Sequence, residues 1–364
     1  MTADIGTTTI AMQLHKENGE VEDSYVAVNP QSVYGADVLS RIHAASSSYA
    51  SAQKQGPAII MQEMVVDVLR KGICRFQGHL KDGEGLQMIL AGNTTMIYLL
   101  MGWNPEELGR APFHASHLEA VETVIAGVDT VILPGLSAFV GGDIVAGIWA
   151  TKMLLSKDLV LLIDLGTNGE MVLGNKNRLI ACATAAGPAF EGGVNRGIWG
   201  ADMVSILAAM IREGIIDKEG LLMEEYFEKG VRVGNVCVTQ EAVRALQLAK
   251  AAIAAGIEIL LQEYGCDMDS VSQVVLAGGF GYYLNPSDAA QIGLLPRELS
   301  EKTISGGNTV LTGALYIGER HLGCTGGAKL AEWLKETNAR TEVINLANHP
   351  EFAEKYIKSI SFKE

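Results

Sequence analysis

Residues 160–173 read VLLIDLGTNGEMVL. Val160 to Ile163 form a short apolar run, the pattern of a strand covered on both faces. Asp164, Gly166, Thr167, Asn168, Gly169 and Glu170 then make a polar turn, and Met171, Val172 and Leu173 begin a return strand. Asn-Gly is by itself a strong hairpin signal. The same residues also suit a metal-bound phosphate. Gly166 lets the backbone approach an anion, the turn N–H groups and the Thr167 hydroxyl can donate to phosphate oxygens, and Asp164 can hold Mg²⁺ directly or through water. Alone, the stretch leaves both readings open. A second copy, DIGTTT at residues 4–9, decides for the phosphate.

Two Asp-x-Gly-Thr turns lie about 160 residues apart, each starting a hairpin. Such a duplication predicts two related halves, each placing a carboxylate and a Gly/Thr turn on a shared cleft. The two turns would grip the β- and γ-phosphates from opposite sides, with Mg²⁺ between Asp4 and Asp164. The strand Val271 to Leu276 runs into Ala277, Gly278, Gly279, Phe280 and Gly281, a nearly side-chain-free stretch on which an adenosine can lie. No GxxxxGK[ST] occurs, so a P-loop fold is not supported.

The chain has 364 residues, 48% of them hydrophobic, enough for one large core or two medium domains. Its formal net charge of −14 argues against nucleic acid and anionic membranes as partners. No unbroken apolar run approaches the roughly 20 residues of a membrane span, and the N-terminus shows no signal peptide. The five cysteines are an odd number and none are close in sequence. They read as small hydrophobes in a reducing cytoplasm, not as a disulfide framework or cluster loop.

Periodicity predicts helices near 62–76, 96–101, 239–264, 309–320, 328–338 and 351–360. Strands are expected at 1–14, 21–28, 87–92, 121–132 and 342–346, besides those already named. Asn93, Thr94 and Thr95 follow the strand at 87–92 and read as a helix cap or as a loop facing phosphate or a partner. In FVGGDIVAGIWATKML, residues 139–154, Gly141 and Gly142 break the chain. Asp143 reads there as an N-cap or as a catalytic carboxylate. The start, three residues before Asp4, reads as either a C-terminal portion of a longer protein or an unusually trimmed one.

DIGTTT, GGDIVAGI, DLGTNGE, VVLAGGFG and GNTVLTGA occur in the order of the acetate/sugar kinase, heat-shock chaperone and actin superfamily. They look like its phosphate-1, connect-1, phosphate-2, adenosine and connect-2 motifs. The strings AGNTTM, LPGLSAFVGGDIVAG, ATAAGPAFEGG and HPEFAEKYI narrow the likeness. With them the chain resembles the ATPase domain of reductive activators of corrinoid-dependent methyltransferases, including those of O-demethylases. The resemblance implies an α/β fold of two ribonuclease-H-like, actin-like ATPase subdomains flanking a nucleotide cleft. Subdomain I would span 1–155 completed by 305–364, and subdomain II 156–304.

It further implies ATP and Mg²⁺ as cofactors, and ATP-driven return of cob(II)alamin to cob(I)alamin on a partner corrinoid protein. Full-length relatives carry an N-terminal [2Fe–2S] domain as electron donor. The C-x₄-C-x₂-C ligands of such a cluster are missing here, as is a corrinoid-carrier DxHxxG. Asp4 and Asp164 would position the metal, and Gly6, Thr7, Thr8, Gly166, Thr167 and Asn168 would cradle phosphates. Gly278, Gly279 and Gly281 would pack on adenosine, while Asp143 or Glu170 would act on water. Gly187 and Glu191 would line the cleft floor and Lys250 would approach the nucleotide, though a salt-bridged or solvated lysine is the alternative there. A homodimer fits such a family. The competing classes on this fold are a small-molecule kinase, a 2-hydroxyacyl-CoA dehydratase activator and an actin-like filament protein.

Overall fold

The structure, a computed structural model, describes residues 1–51, 56–166, 168–184, 200–234, 236–322 and 327–362. The chain divides into two compact units. Unit 1 holds Met1–Lys152 and Thr309–Thr341, and unit 2 holds Met153–Asn308 and Glu342–Glu364.

Unit 1 begins with β1 (Thr2–Ile5), β2 (Thr9–His15) and β3 (Val21–Val28), then α1 (Val38–Ser51) and α2 (Pro57–Gln77). It continues through β4 (Gln87–Gly92), α3 (Thr94–Met101), β5 (Val121–Ile125), β6 (Val128–Ile132) and α4 (Gly142–Ala150). Unit 2 starts with β7 (Leu159–Leu165), β8 (Gly169–Gly174) and β9 (Leu179–Thr184). Then come α5 (Gly200–Arg212), α6 (Glu224–Phe227), β10 (Val231–Val233), β11 (Val236–Val238) and α7 (Gln240–Tyr264). β12 (Val271–Ala277), α8 (Gly278–Gly281), α9 (Pro286–Gln291), α10 (Arg297–Ser300) and β13 (Thr303–Gly307) follow. The chain returns to unit 1 for α11 (Thr309–Leu322) and α12 (Gly327–Arg340), and ends with β14 (Thr341–Ile344) and α13 (Phe352–Lys358).

The unit 1 sheet has the order β3-β2-β1-β4-β6-β5, and the large sheet of unit 2 the order β13-β12-β7-β8-β9-β14. Each is built round an antiparallel three-strand meander whose first strand pairs in parallel with a later one: β1 with β4, and β7 with β12. The meanders follow from short apolar runs broken by polar turns, such as Gly19 at φ +82° between β2 and β3. The parallel pairings require long crossovers, and helices supply them.

In unit 1 one sheet face packs on α2: Ala3, Ile5, Met88 and Leu90 meet Met61, Val65, Leu69 and Phe76 in one apolar cluster. Burying each of the larger side chains contributes roughly 1.5–3 kcal/mol. The opposite face, which carries Thr2, Asp4, Ile89 and Ala91 by register, meets α11, where Gly318 lies against Ile89. α11 crosses α4 at very close range: a Cβ on Gly313 would fall 1.9 Å from the Ala146 carbonyl.

In unit 2 the odd-numbered face of β7 (Leu161, Ile163, Leu165) packs with Met171, Leu173 and the inner face of α7. α7 is capped by the Thr239 hydroxyl on Ala242 N–H and ended by Gly265 in the left-handed region. It is long and apolar enough to cross a membrane, yet 78% of its most apolar window is buried in the fold. The expectation that 305–364 completes subdomain I needs correcting for the tail. Residues Glu342–Glu364 belong to unit 2, because β14 extends that sheet beside β9 and the Phe352 ring joins its core.

Candidate functional site

The first phosphate turn closes β1 onto β2. Asp4, one residue before the end of β1, lies opposite Ala11 on β2 and Ala91 on β4, and Gly6 N–H donates to the Thr9 carbonyl at 2.9 Å. Under the turn lies Asn29, fully buried, which closes the loop from the other side. Its Nδ2 donates to the Gly6 carbonyl (2.8 Å), and its backbone N–H donates to the Thr8 carbonyl (2.8 Å). Its Oδ1 accepts from Gln31 N–H (3.0 Å), and Gln31 Nε2 donates to the Met61 carbonyl on α2 (3.0 Å). The turn is thereby tied to the core helix rather than left as a loose loop.

Asn93 does a related job. Its Oδ1 caps α3 by accepting from Met96 N–H (3.0 Å), which fixes the amide so that Nδ2 points at Thr7 Oγ1 (3.0 Å). Thr7 is buried, and its oxygen accepts from Asn93. The hydroxyl hydrogen therefore remains for another acceptor. Thr8 is exposed at the tip. The cap reading of Asn93 holds, and the same side chain also reaches Thr7. Asn29 carried no recognisable signal in the sequence; only the fold reveals it.

The second turn closes β7 onto β8. Asp164 stands opposite Glu170 on β8 and Ala277 on β12, and Gly166 N–H donates to the Asn168 carbonyl at 3.0 Å. Where the first hairpin puts Ala11 beside its aspartate, the second puts Glu170, which is buried. Gly169 sits against α7: a Cβ there would lie 2.1 Å from Ile253 Cδ1. Thr167 lies outside the described residues, as do Gly187 and Glu191.

Gly278 follows β12 in the left-handed region, at φ +81°. A Cβ on it would fall 2.5 Å from both Asp164 Oδ1 and the Leu165 carbonyl, so only glycine fits beside the turn. Gly279 faces open space, with nothing within 4 Å of its missing Cβ. Gly281 does not share that surface. It is buried against Leu276 and Leu165.

Asp143 is not the N-cap of α4. Gly141 holds that position, and Asp143 sits in the first turn, where its Oδ1 accepts from Ile144 N–H at 2.8 Å. Burial pushes its carboxyl up to about 6, with backbone N–H groups opposing the shift. Gly141 packs directly on Asn93 and Thr94, with a Cβ approach of 2.6 Å to each, so α4 begins beside the end of β4. Asp4 points to the sheet face that carries α11, and α11 crosses α4. Lys250 is fully buried on α7; its Nζ donates to the Ser361 carbonyl (2.6 Å) and lies 5.3 Å from the Phe362 ring centroid. The C-terminal tail thus engages this lysine.

Among the described residues no group of three or more His, Cys, Asp or Glu gathers as a metal cage. A single carboxylate, as each turn has at Asp4 or Asp164, suits Mg²⁺ arriving with a phosphate, since that ion keeps much of its shell as water and substrate oxygen. In unit 2 the open face at Gly279 and the space kept beside the turn by Gly278 leave room for a ligand at the strand end.

Two family models match the chain: the RACo middle region over residues 1–156, and the C-terminal domain of RACo, the ASKHA domain, over 158–196 and 193–364. The corrinoid activation enzyme RamQ of Eubacterium limosum is 30% identical over 434 aligned residues, covering 99% of this chain and 69% of that protein. A reductase of the methylated-amine-specific Co(II) corrinoid protein from Methanosarcina barkeri is 21% identical, covering 69% of this chain and 58% of that one. The solved structure of a reductive activator for corrinoid, iron-sulfur protein superposes with a TM-score of 0.82 at 28% identity. It is matched over 99% of this chain and 65% of its own length.

Proposed function

This chain belongs to the RACo family, and on that premise we propose that it binds and hydrolyses ATP to drive the return of a Co(II) corrinoid to Co(I) on a separate corrinoid protein. The observation that carries the reading is the repeated hairpin: in each unit an aspartate stands one residue before the end of a strand that turns back on its neighbour, and the sequence continues with Gly-Thr. We assign phosphate binding to each of the two turns. ATP and water become ADP and phosphate, while a separate one-electron donor reduces Co(II) to Co(I).

Mg²⁺, when bound with the nucleotide, neutralises phosphate charge. Asp4 and Asp164 orient the ion's shell. The Thr7 hydroxyl donates to phosphate oxygens beside the bare backbone of Gly6, whose own N–H is held by the Thr9 carbonyl, and Asn29 and Asn93 keep the turn in shape. At the second turn Gly166, its N–H held by the Asn168 carbonyl, lets phosphate come close to the backbone, with Thr167 and Asn168 as the donors. Gly278 and Gly279 leave room for the nucleoside. Asp143, with its carboxyl pushed up to about 6, is the group suited to accept a proton from water near neutral pH. Glu170, beside Asp164, adds a second carboxylate to the metal's side of the site. Cys74, Cys182, Cys237 and Cys266 are all free thiols, which suits a reducing compartment.

The test is phosphate release from ATP with and without a Co(II) corrinoid protein, with the cobalt state followed by its absorbance. Turnover that rises with the Co(II) protein and vanishes in an Asp4→Ala, Asp164→Ala variant supports the reading. Undiminished turnover in that variant would sink the site, and radiolabel passing from ATP into a small metabolite would make the protein a kinase instead.

A further inference from the structure

Three parallel strand ends lie in one row at the carboxyl edge of the unit 2 sheet. Asp164 of β7 pairs in register with Ala277 of β12, which pairs with Gly307 of β13. Ligands of open α/β sheets bind beyond such carboxyl ends. Two strand spacings, about 10 Å in all, separate the Asp164 column from the Gly307 column. That span is suited to a ligand with its phosphates at one end and its base at the other.

Among the described residues, two glycines beyond the middle strand and at the end of the far one have little around them. Gly279 has nothing within 4 Å of its missing Cβ, and the atoms within that distance at Gly307 belong to the Tyr282 ring, 3.9 Å away. Tyr282 is nevertheless 52% exposed and Tyr283 68% exposed. Their rings meet edge to face, 4.6 Å between centroids and 90° between planes.

The Tyr282 backbone is held in place: its N–H donates to the Gly278 carbonyl (3.2 Å) and its carbonyl accepts from Ser305 Oγ (3.2 Å). The ring is therefore presented from a fixed backbone with two torsions to spend. Single exposed apolar groups are ordinary. Two adjacent tyrosines at the carboxyl edge of parallel strands, beside a glycine surface, form a platform for a flat ring.

We propose that Tyr282, supported edge-on by Tyr283, stacks on the nucleobase and makes this edge selective for purine nucleotides over bare polyphosphate. The inference rests on the nucleotide-binding reading above and adds to it the residue that recognises the base. Stacking on an aromatic side chain is worth a measurable share of affinity for each base.

The experiment is calorimetric titration of wild type, Tyr282→Ala and Tyr282→Phe with Mg·ATP, Mg·CTP and Mg-tripolyphosphate, with circular dichroism melting of each variant. Tyr282→Ala is expected to weaken ATP about 10-fold or more, leave tripolyphosphate unchanged and erase the preference for ATP over CTP. Tyr282→Phe keeps the ring and is expected to match wild type. If wild type binds ATP and Tyr282→Ala binds it equally well, the platform serves something else, such as a protein partner, and the proposal falls while nucleotide binding stands. Equal weakening of ATP and tripolyphosphate means that the substitution disturbs the glycine turn, and overturns it too. A wild type that binds neither ATP nor tripolyphosphate overturns the nucleotide reading itself.

Discussion

Asp164 and Glu170 stand directly opposite one another across the β7–β8 hairpin, a carboxylate facing a carboxylate where the sister hairpin sets Asp4 against Ala11. Side chains at such positions have Cβ atoms about 4.5–5.5 Å apart, and like charges there repel. A cation delivered with the nucleotide relieves the repulsion. We predict that Mg·ATP raises the melting temperature of wild type by more than that of Glu170→Gln. With Glu170 on the metal's side, Glu170→Gln shifts the Mg²⁺ titration of turnover to higher concentration and leaves kcat within about threefold. A kcat loss of about 10²-fold or more with unchanged Mg²⁺ dependence would move Glu170 to the water instead.

Asp143 gives a pH signature. Its carboxyl is pushed up to about 6 by burial, and a base works only when deprotonated. Turnover should rise through about pH 6 and then level, and Asp143→Asn should lose both the limb and most of the rate. The sign for stability is opposite. The folded state holds this proton more tightly than the unfolded one, whose value is near 3.8, so the contribution is full below that pH and lost as pH rises through about 6. Urea midpoints of wild type at about pH 4 and pH 7 should diverge more than those of Asp143→Asn.

Asn93 separates folding from binding. Asn93→Ala removes the α3 cap, at about 1 kcal/mol, together with the Nδ2 donor to Thr7. Asn93→Asp keeps a capping oxygen but turns the donor into an acceptor, which draws the Thr7 hydroxyl hydrogen away from the nucleotide. Both variants should bind ATP more weakly in calorimetry. In urea melts Asn93→Ala should fall by about 1 kcal/mol, with Asn93→Asp close to wild type. Equal ATP affinity in all three would remove Asn93 from the site.

Gly278 and Gly166 make a contrasting pair. Alanine at 278 must adopt φ +81°, at about 1–2 kcal/mol, and its Cβ displaces Asp164 Oδ1 and the Leu165 carbonyl. Alanine at 166 meets nothing nearer than the Asn168 carbonyl at 3.8 Å. Gly278→Ala is expected to lower both stability and Mg·ATP affinity, whereas Gly166→Ala should keep its melting temperature and lose affinity only. A Gly278→Ala protein as stable as wild type would contradict the packing described for the turn.

The tail offers a fifth check. Phe362 is buried beneath α7, its N–H donates to the Lys218 carbonyl at 2.8 Å, and Lys250 lies over its ring. Phe362→Ala should cost about 3 kcal/mol in urea unfolding. A loss below about 1 kcal/mol would show the clip to be superficial.

Much of this was legible in the residues themselves. Strand-turn-strand units are local, so DIGTTT and DLGTNGE announced both hairpins, and the period of α7 with Thr239 and Gly265 at its ends announced that helix. Asn93 was legible as a cap because capping acts within three residues. Its second bond, to Thr7, joins residues 86 apart, and no local pattern encodes such a meeting. Asn29 is hidden for the same reason: it reaches Gly6 across 23 residues. Gly279 and Gly281 looked alike in the sequence, yet the turn of α8 leaves the first open and buries the second. Lys250 belongs to the tail through a contact 111 residues away.

The path of the chain has a consequence for how it is made. It passes between the units at 152/153, 308/309 and 341/342, so each unit is assembled from two separated stretches. On a ribosome emerging from the N-terminus, unit 1 waits for α11 and unit 2 waits for β14 and α13 before either core can close. Domains that complete only at the end of synthesis leave apolar faces bare for most of translation. A cut near 156, where the two family matches meet, would sever the chain but not separate two folding bodies. Halves expressed on that boundary should be insoluble alone and should recover together, if at all, only when coexpressed.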